Sequence, residues 1–227
     1  MKLTLSFNKK GHEVKTQATG RFNEWSKKYD RSILQHLVFR NSHDMFIRHI
    51  NSEKRPLKIL DVGCGTGEFA MKLKGGRQDI QMFGIDISPE MIGIARKKSK
   101  SQSGFDFRVG DVENLPYENN TFDYITCAHS FHHYPNKSKA VRQMFRVLKD
   151  DGHIMIIDGY KDKLLGRFIF DFIIKRHEGN VHHLHSKQFH RILNKVGFKN
   201  IRQTVFNPFI PLLLTRGRAH KKDERQQ

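Results

Sequence analysis

Ile59-Leu60-Asp61-Val62-Gly63-Cys64-Gly65-Thr66-Gly67-Glu68 is the stretch that decides the fold. It begins inside a short apolar run, Leu57–Val62, which has the length and composition of a buried strand. A glycine-rich turn follows at Gly63–Gly67, and the spacing of Phe69–Leu73 predicts a helix. Because glycine has no Cβ, such a turn lets backbone approach a ligand closely. The stretch therefore predicts a strand, a ligand-binding turn and a helix of an α/β domain.

The same alternation of strands and helices continues along the rest of the chain. Further strands are predicted at Gln81–Ile87, Phe105–Val109, Phe122–Ala128, His153–Asp158, Ile201–Phe206 and Pro211–Thr215. Helices are predicted between Phe22 and Ile50, after Ser88-Pro89-Glu90, over Lys137–Leu148 and over Lys187–Val196. Ser88 is the expected N-cap of its helix, with Pro89 in the first helical position. Such alternation predicts a parallel, Rossmann-like sheet with helices on both faces.

The charges around the glycine turn indicate the kind of ligand. Its Gly-x-Gly-x-Gly spacing differs from a dinucleotide fingerprint, whose third glycine comes one residue later. Glu68 would place a carboxylate where a pyrophosphate has to lie, and Asp61 adds a second negative charge before the turn. A positively charged ligand tolerates these carboxylates and a pyrophosphate does not. S-adenosylmethionine, which has a sulfonium, an ammonium and no phosphate, therefore fits this turn.

Two more carboxylates follow the ends of the next two strands. Asp86, in Gly84-Ile85-Asp86-Ile87, comes 21 residues after Gly65, the distance at which an acidic residue can accept hydrogen bonds from a ribose diol. Asp111, in Val109-Gly110-Asp111-Val112, could accept from an adenine amine while the Val112 N–H donates to the ring. Either acid alone is typical of a cap or a turn. Three acids at three successive strand ends favour a ligand crevice.

These motifs resemble those of the class I S-adenosylmethionine-dependent methyltransferases. The resemblance covers about residues 20–205 and is nearest to the small-molecule branch that includes the ubiquinone/menaquinone C-methyltransferases. It also draws on Phe122-Asp123 and on Arg146-Val147-Leu148-Lys149-x-x-Gly152. It implies a seven-stranded sheet of order 3-2-1-4-5-7-6, with strand 7 antiparallel. The cofactor contacts that it implies are Tyr29, Asp61, Gly63, Cys64, Gly65, Asp86, Ile87, Asp111, Val112 and the backbone at Ala128.

The residues that carry out the chemistry are harder to identify. His132 and His133 follow the fourth strand, where acceptor meets cofactor in this fold, so either is a candidate general base. The alternative is that both histidines hydrogen-bond the loop backbone and shape the turn. Cys127 suggests covalent catalysis as in RNA cytosine methylation, but that mechanism needs a second cysteine in the site, and Cys64 belongs to the glycine turn. An Asn/Asp-Pro-Pro-Tyr motif, typical of methylation at an adenine amine or a glutamine, is absent from the sequence.

The segment between strands five and six is expected to form the substrate lid, at about residues 160–190. Lys163–Lys175 predicts a helix that is apolar nearly all round, and such a helix is buried or meets lipid or a greasy substrate. A histidine-rich stretch follows, with His177, His182, His183, His185 and His190. Metal binding could use such a cluster. Because no carboxylate or thiol lies among the last four of these histidines, we expect a solvated or substrate-facing loop and no metal ion.

Positive charge is concentrated on the flanks. The net charge is +18, of which residues 1–56 carry +7, residues 57–158 carry +1 and residues 159–227 carry +10. This pattern favours an anionic partner such as membrane lipid or nucleic acid, although cations that serve only solubility would give it too. We divide the chain into a basic N-terminal arm with helices covering the cofactor (1–56), a methyltransferase domain (57–220) and a flexible tail (221–227).

Three functions remain open on this sequence. The first is methylation of a small hydrophobic or anionic acceptor, such as a quinone, a phenol or a lipid headgroup. The second is RNA methylation, although no basic stripe interleaved with aromatic residues is present. The third is a methyltransferase fold kept as a non-catalytic binding protein, against which the complete set of cofactor acids argues. The sequence has no run of about 20 apolar residues and only two cysteines. A cytoplasmic protein, with peripheral contact to an anionic membrane, is therefore expected.

Overall fold

The central sheet has the predicted strand order. The computed structural model describes residues 33–174, 176 and 181–221. Seven strands pair in the order β3-β2-β1-β4-β5-β7-β6, and β7 runs antiparallel to both of its neighbours. The strands are β1 (Leu57–Val62), β2 (Ile80–Asp86), β3 (Phe105–Val109), β4 (Phe122–Ala128), β5 (Leu148–Gly159), β6 (Phe198–Phe206) and β7 (Leu212–Ala219). Both the sheet order and the direction of the last strand are confirmed.

Helices pack on both faces of this sheet. They are α1 (Ile33–Ile50), α2 (Glu68–Gly76), α3 (Pro89–Ser99), α4 (Lys137–Val147), α5 (Leu164–Phe168) and α6 (Ser186–Val196). Leu60 and Val62 of β1 belong to an apolar cluster with α4 and α6. Leu57 and Ile59 belong to a second cluster with α1, α2 and α3. Because side chains alternate along a strand, these two clusters lie on opposite faces of the sheet.

The glycine turn lies at the centre of the carboxyl edge of the sheet. β1 is hydrogen-bonded to β2 on one side and to β4 on the other, both in parallel. The chain order therefore reverses at β1, and ligands of open α/β sheets bind at such a point. Ser88 caps α3 as predicted, since its side chain accepts a hydrogen bond from the Met91 N–H, and Pro89 is the first helical residue.

Several element boundaries differ from the predictions. β5 begins at Leu148 rather than at His153, because it continues directly from α4. The helix predicted over Lys163–Lys175 is helical over Leu164–Ile174 but not uniform, since the α-helix ends at Phe168 and continues as a π-helix over Ile169–Ile174. Its apolar side chains are also divided, with Phe170 buried while Leu164 and Phe172 are 83% and 68% exposed.

Parts of the prediction fall on residues that the structure does not describe. They are Tyr29 and most of the basic arm, most of the tail, and His177 of the histidine-rich stretch. Among the described helices, none combines the length and the apolar character that crossing a bilayer would need.

Candidate active site

The glycine turn combines a tightly packed side with an open side. Gly63 has φ of 71°, and a Cβ there would lie 2.3 Å from Oγ of Ser130. Gly65 has φ of 52°, but a Cβ there would meet no atom within 4 Å. Gly63 is therefore required by packing against the loop after β4. Gly65 borders an open cleft, as a ligand-binding backbone must.

Asp86 joins this turn to the end of β2. Its Oδ2 accepts a 2.9 Å hydrogen bond from the Gly65 N–H, and its Oδ1 accepts one of 2.9 Å from the Ser88 N–H. Burial raises the pKa of Asp86, although the backbone donors at Ser88 and Gly65 oppose the shift. Each carboxylate oxygen has a second lone pair that a ligand hydroxyl could use. Asp86 is thus held in position within the cleft wall.

The half of the cleft next to β2 and β3 contains most of the predicted cofactor residues. Oδ1 of Asp111 accepts a 2.9 Å hydrogen bond from the Glu113 N–H and so caps the short 3-10 helix Val112–Asn114. The walls of this half are formed by Val62, Gly63, Gly65, Ile85, Asp86, Ile87, Met91, Gly110, Asp111, Val112, Glu113, Ala128, His129, Ser130, His133, Tyr134 and Pro135. Backbone and carboxylate acceptors therefore surround an apolar floor, which suits a nucleoside.

The other half of the cleft lies between the glycine turn and α1. Asp61 lines it together with Phe39, Arg40 and His43. Oδ1 of Asp61 accepts a 2.7 Å hydrogen bond from Thr126 Oγ1. Burial, with a smaller contribution from Asp86, raises the pKa of Asp61 to about 7. A cationic group bound next to Asp61 would favour its charged form, so this half suits an ammonium or a sulfonium.

Glu68, the carboxylate expected to exclude a pyrophosphate from the start of α2, has a smaller effect than the sequence suggested. Glu68 is about half exposed, and its Oε1 forms an ion pair with Nζ of Lys98. Lys98 also donates to Thr66 Oγ1 at 3.3 Å. Because α3 supplies this cation, Glu68 excludes a pyrophosphate less strongly than expected. The selection for a positive ligand depends mainly on Asp61.

His129 is a cleft residue that the sequence reasoning missed. It lines both halves of the cleft and has φ of 55°, in the left-handed region. Its Nε2 lies 2.8 Å from Oγ of Ser42, and its ring centroid lies 4.7 Å from that of Phe39. Burial lowers its pKa to about 3, so the ring is neutral at physiological pH. His129 thereby attaches α1 to the end of β4, and only its position after Ala128 could have drawn attention to it.

The two histidines predicted as candidate bases lie in different places. His133 lines the cleft, and burial lowers its pKa well below the usual value. His132 is buried, and its Nδ1 lies 2.7 Å from Oδ1 of Asp158. At His132 the ring bonds to Asp158, and the loop contacts are made by its backbone carbonyl, which accepts from Lys137 Nζ and from the His182 N–H. His133 is therefore the better-placed candidate for contact with a ligand.

Burial makes both cysteines poor nucleophiles. Cys127 is fully buried, with Sγ 3.2 Å from Ser130 Oγ and 3.5 Å from the Tyr134 hydroxyl. Its burial raises the pKa of the thiol to about 12. Burial also raises the pKa of Cys64 well above its usual value. Because the thiolate is the reactive form, covalent catalysis by either cysteine is disfavoured.

Two other motif residues, Asp123 and Arg146, stabilise the strands and loops around the cleft without lining it. The Asp123 carboxylate accepts from the Lys58 N–H at 2.8 Å and pairs with Arg55 and Lys149. Arg146 donates to the carbonyls of Leu115 and Tyr117, which fixes the loop after the 3-10 helix. These two motif residues position strands and loops of the cleft.

The cleft as a whole fits S-adenosylmethionine. Asp86 and Asp111 line one half of the cleft, and a Cβ on Gly65 would meet no atom within 4 Å. Asp61 lines the other half. Ile87, Val112 and Ala128 line the same cleft as these acids. Of the predicted contacts, only Tyr29 falls outside the described residues.

Comparisons with known proteins identify the family to which the chain belongs. A family model described as a methyltransferase domain matches residues 53–202. Demethylmenaquinone methyltransferase of Deinococcus radiodurans is 35% identical over 104 residues, 45% of this chain and 43% of that protein. The methyltransferase YcgJ of Bacillus subtilis is 33% identical over 137 residues, 58% of this chain and 53% of that protein. These two matches thus span about half of each relative. A demethylmenaquinone methyltransferase of Staphylococcus saprophyticus is 27% identical over 216 residues, 85% of this chain and 92% of that protein.

Solved structures share the fold at low sequence identity. The crystal structure of YcgJ from Bacillus subtilis has a TM-score of 0.68 at 19% identity, covering 81% of this chain and all of that one. A phosphoethanolamine N-methyltransferase of Haemonchus contortus, solved with S-adenosylhomocysteine, has a TM-score of 0.67 at 16% identity, covering 80% of this chain and 53% of that one. With its cleft, its sheet order and the family match over residues 53–202, the chain belongs to the class I S-adenosylmethionine-dependent methyltransferases.

Proposed function

We propose that this methyltransferase acts on a small hydrophobic or anionic acceptor of the quinone, phenol or lipid-headgroup class. The observation that carries the proposal is an exposed apolar surface between β5 and α6. It consists of four side chains that are each more than half exposed, Leu164, Leu165, Phe168 and Phe172. Apolar side chains exposed together in this way are typical of a site that meets a ligand, a lipid or another protein. We call them the apolar surface.

A row of ring contacts connects the cleft to this apolar surface. The His133 ring, in the cleft wall, lies 4.1 Å from the His132 ring, which lies 4.2 Å from the His183 ring. The His183 ring lies 4.7 Å from the ring of Phe170, which lies in sequence between the exposed Phe168 of α5 and the exposed Phe172 of the π-helical segment. An acceptor that touched the apolar surface would therefore lie within a few side chains of the cofactor cleft. This proximity supports residues 160–190 as the acceptor lid.

Methyl transfer in such a site depends mainly on positioning. S-adenosylmethionine supplies a methyl group on a sulfonium that is already activated for in-line displacement. Asp86 and Asp111 would hold the nucleoside end and Asp61 the charged end, while His129 and His133 belong to the wall of the same cleft. A neutral imidazole with a lowered pKa is a weak base, but one of its two ring nitrogens can still accept a hydrogen bond. We propose that His133 orients an acceptor hydroxyl, and that His132 acts only through its neighbours.

The apolar surface is also where we propose peripheral contact with an anionic membrane. The exposed cations Lys163 and Arg167 alternate with its apolar residues, and Arg176 is exposed just after it. Apolar residues that insert at an interface and cations that meet anionic headgroups are typical of peripheral attachment. A membrane-dissolved acceptor would then reach the cleft without crossing water.

Labelling tests the proposed acceptor class directly. Cell extract and purified protein would be incubated with isotopically labelled S-adenosylmethionine, and labelled products identified by mass spectrometry. We expect label in the lipid-extractable fraction, and we expect demethylmenaquinone, the acceptor in the relatives' names, to be the first pure compound to try. Label in RNA would support the alternative acceptor, and no label above that of an Asp86→Ala control would support a binding protein without catalysis.

A further inference from the structure

Three separate chain segments bring His132, Asp158 and His183 into one buried cluster. His132 lies in the turn after β4, Asp158 is next to last in β5, and His183 lies in the loop before α6. All three side chains are at most 5% exposed. Their spacing in sequence gives no sign of this, because no carboxylate lies among the last four histidines of the histidine-rich stretch and Asp158 comes from the sheet.

The potential ligand atoms of these three residues lie close together. Nδ1 of His132 lies 2.7 Å, and Nδ1 of His183 lies 3.0 Å, from the same Oδ1 of Asp158. One potential ligand atom from each residue lies within 4.8 Å of the others. Ligand atoms that share an ion at about 2.1 Å are roughly 3 Å apart, so small side-chain rotations would suffice.

The second oxygen of Asp158 distinguishes this cluster from a closed hydrogen-bond network. Oδ1 also accepts a 2.7 Å hydrogen bond from the Gly159 N–H, whereas Oδ2 is buried and accepts no hydrogen bond from the described residues. A buried carboxylate oxygen of this kind calls for an ion, a water or a ligand. The nearby cation Lys137 donates instead to the carbonyls of Tyr134 and His132.

The backbone next to Asp158 is shaped to allow the approach of His183. A Cβ on Gly159 would lie 2.8 Å from Nδ1 of His183 and 2.6 Å from the Phe170 ring. Only glycine therefore lets this loop pack so closely against the end of β5. The cluster depends on that close packing.

We propose that His132, Asp158 and His183 form a binding site for one first-row divalent metal ion. Two imidazoles and one carboxylate are typical ligands of Zn²⁺, Mn²⁺ and Fe²⁺, whereas Mg²⁺ and Ca²⁺ prefer oxygen ligands alone. The ion would take the place of the hydrogens between the two Nδ1 atoms and the Asp158 carboxylate, and Oδ2 could add a second ligand oxygen. It would join the ends of β4 and β5 to the loop before α6. It would thereby order the acceptor side of the cleft, without contact with the cofactor side.

Metal titration of the full chain tests this site. Protein stripped with a chelator would be titrated with Zn²⁺ or Mn²⁺ by calorimetry, and the bound metal counted by elemental mass spectrometry after gel filtration. We expect one ion per chain and an affinity at least about tenfold weaker in His183→Gln, since even residues that only support ligands cost tenfold or more. His185→Gln is the matched control, because that accessible histidine of the same loop bonds to Asp162 instead. Equal binding by wild type and His183→Gln would overturn the proposal.

Hydrogen exchange provides a second measurement, which is made first on the wild-type protein and so does not depend on whether a variant folds. In wild type, Mn²⁺ should slow exchange of residues 181–185, and the melting temperature should rise with the free metal concentration. His183→Gln should show neither effect, and Asp158→Asn should behave likewise where it folds. If Mn²⁺ and Zn²⁺ leave both exchange and melting of the wild type unchanged, the cluster is a hydrogen-bonded carboxylate and the proposal is wrong.

Discussion

The Gly65 N–H donates a 2.9 Å hydrogen bond to Oδ2 of Asp86 and so joins the glycine turn to the end of β2. This bond gives a structural reason for the 21-residue spacing between the two positions. Asp86 therefore shapes the turn and also lines the cleft that Gly65 borders. We propose that this one carboxylate contributes to folding and to cofactor binding.

Replacement of Asp86 should therefore weaken both ligand binding and the stability of the fold. In Asp86→Ala, we expect S-adenosylhomocysteine binding to lose about 2–3 kcal/mol, the range for hydrogen bonds to a charged group. The free energy of unfolding should also fall by about 1–3 kcal/mol, since the N–H groups of Gly65 and Ser88 lose their acceptor. Calorimetry and urea unfolding measure the two effects. Glu90→Gln, at an exposed position nearby, is the control, and an unchanged dissociation constant in Asp86→Ala would contradict the assigned ribose contact.

A pair of glycine substitutions separates crowding from backbone flexibility. Gly63→Ala should destabilise the protein by about 1–3 kcal/mol, because the new Cβ meets Ser130 Oγ and the left-handed φ is strained. Gly93→Ala lies inside α3, where a Cβ meets no atom within 4 Å, and should stabilise by about 0.5–1 kcal/mol. Thermal unfolding of both variants measures the difference. Shifts of the same sign would contradict the packing described for the glycine turn.

Local sequence patterns predicted the alternation of strands and helices and the N-cap at Ser88, because these depend on residues near one another in sequence. The strand order and the antiparallel last strand came instead from the resemblance to the class I methyltransferases. Asp61, Asp86 and Asp111 were singled out because each lies at or just after the end of a predicted strand.

Features that depend on distant chain segments could not be predicted. The pairing of Lys98 with Glu68, of Ser42 with His129, and of Asp158 with His132 and His183 joins residues 25 to 87 positions apart. The π-helical turn at Ile169–Ile174 was missed for another reason. The apolar residues there are compatible with an α-helix or a π-helix. The sequence does not show that Phe170 is buried while Phe168 and Phe172 are exposed.

His129 should make the stability of the protein depend on pH. Its pKa is about 3 in the folded protein and 6.5 as an unperturbed group, so below pH 6.5 the unfolded chain binds a proton that the folded one does not. Stability should therefore fall as pH decreases from 6.5 toward 3, by up to about 1.4 kcal/mol per pH unit for this group. His129→Asn, which tolerates the left-handed backbone, should show a shallower loss in urea unfolding between pH 7 and 5. His190→Gln, an exposed control, should behave as the wild type, and parallel curves for all three proteins would contradict the prediction.

Replacement of Phe168 and Phe172 by serine tests the apolar surface in both of its proposed roles. Their rings lie 6.0 Å apart and are 58% and 68% exposed, so the substitutions should leave the fold intact. Without these two rings, the affinity for anionic vesicles, measured by cosedimentation at about 50 mM salt, should fall by tenfold or more. The reason is the loss of about 25 cal/mol for each Å² of apolar surface that the rings bury in the membrane. The Michaelis constant of a lipophilic acceptor should rise, while the dissociation constant of S-adenosylhomocysteine stays within a few-fold. Phe209→Ser, at a more exposed ring between β6 and β7, is the control. An equal loss in that variant would show that the effect comes from general surface hydrophobicity, and it would remove the reason for placing the acceptor next to α5.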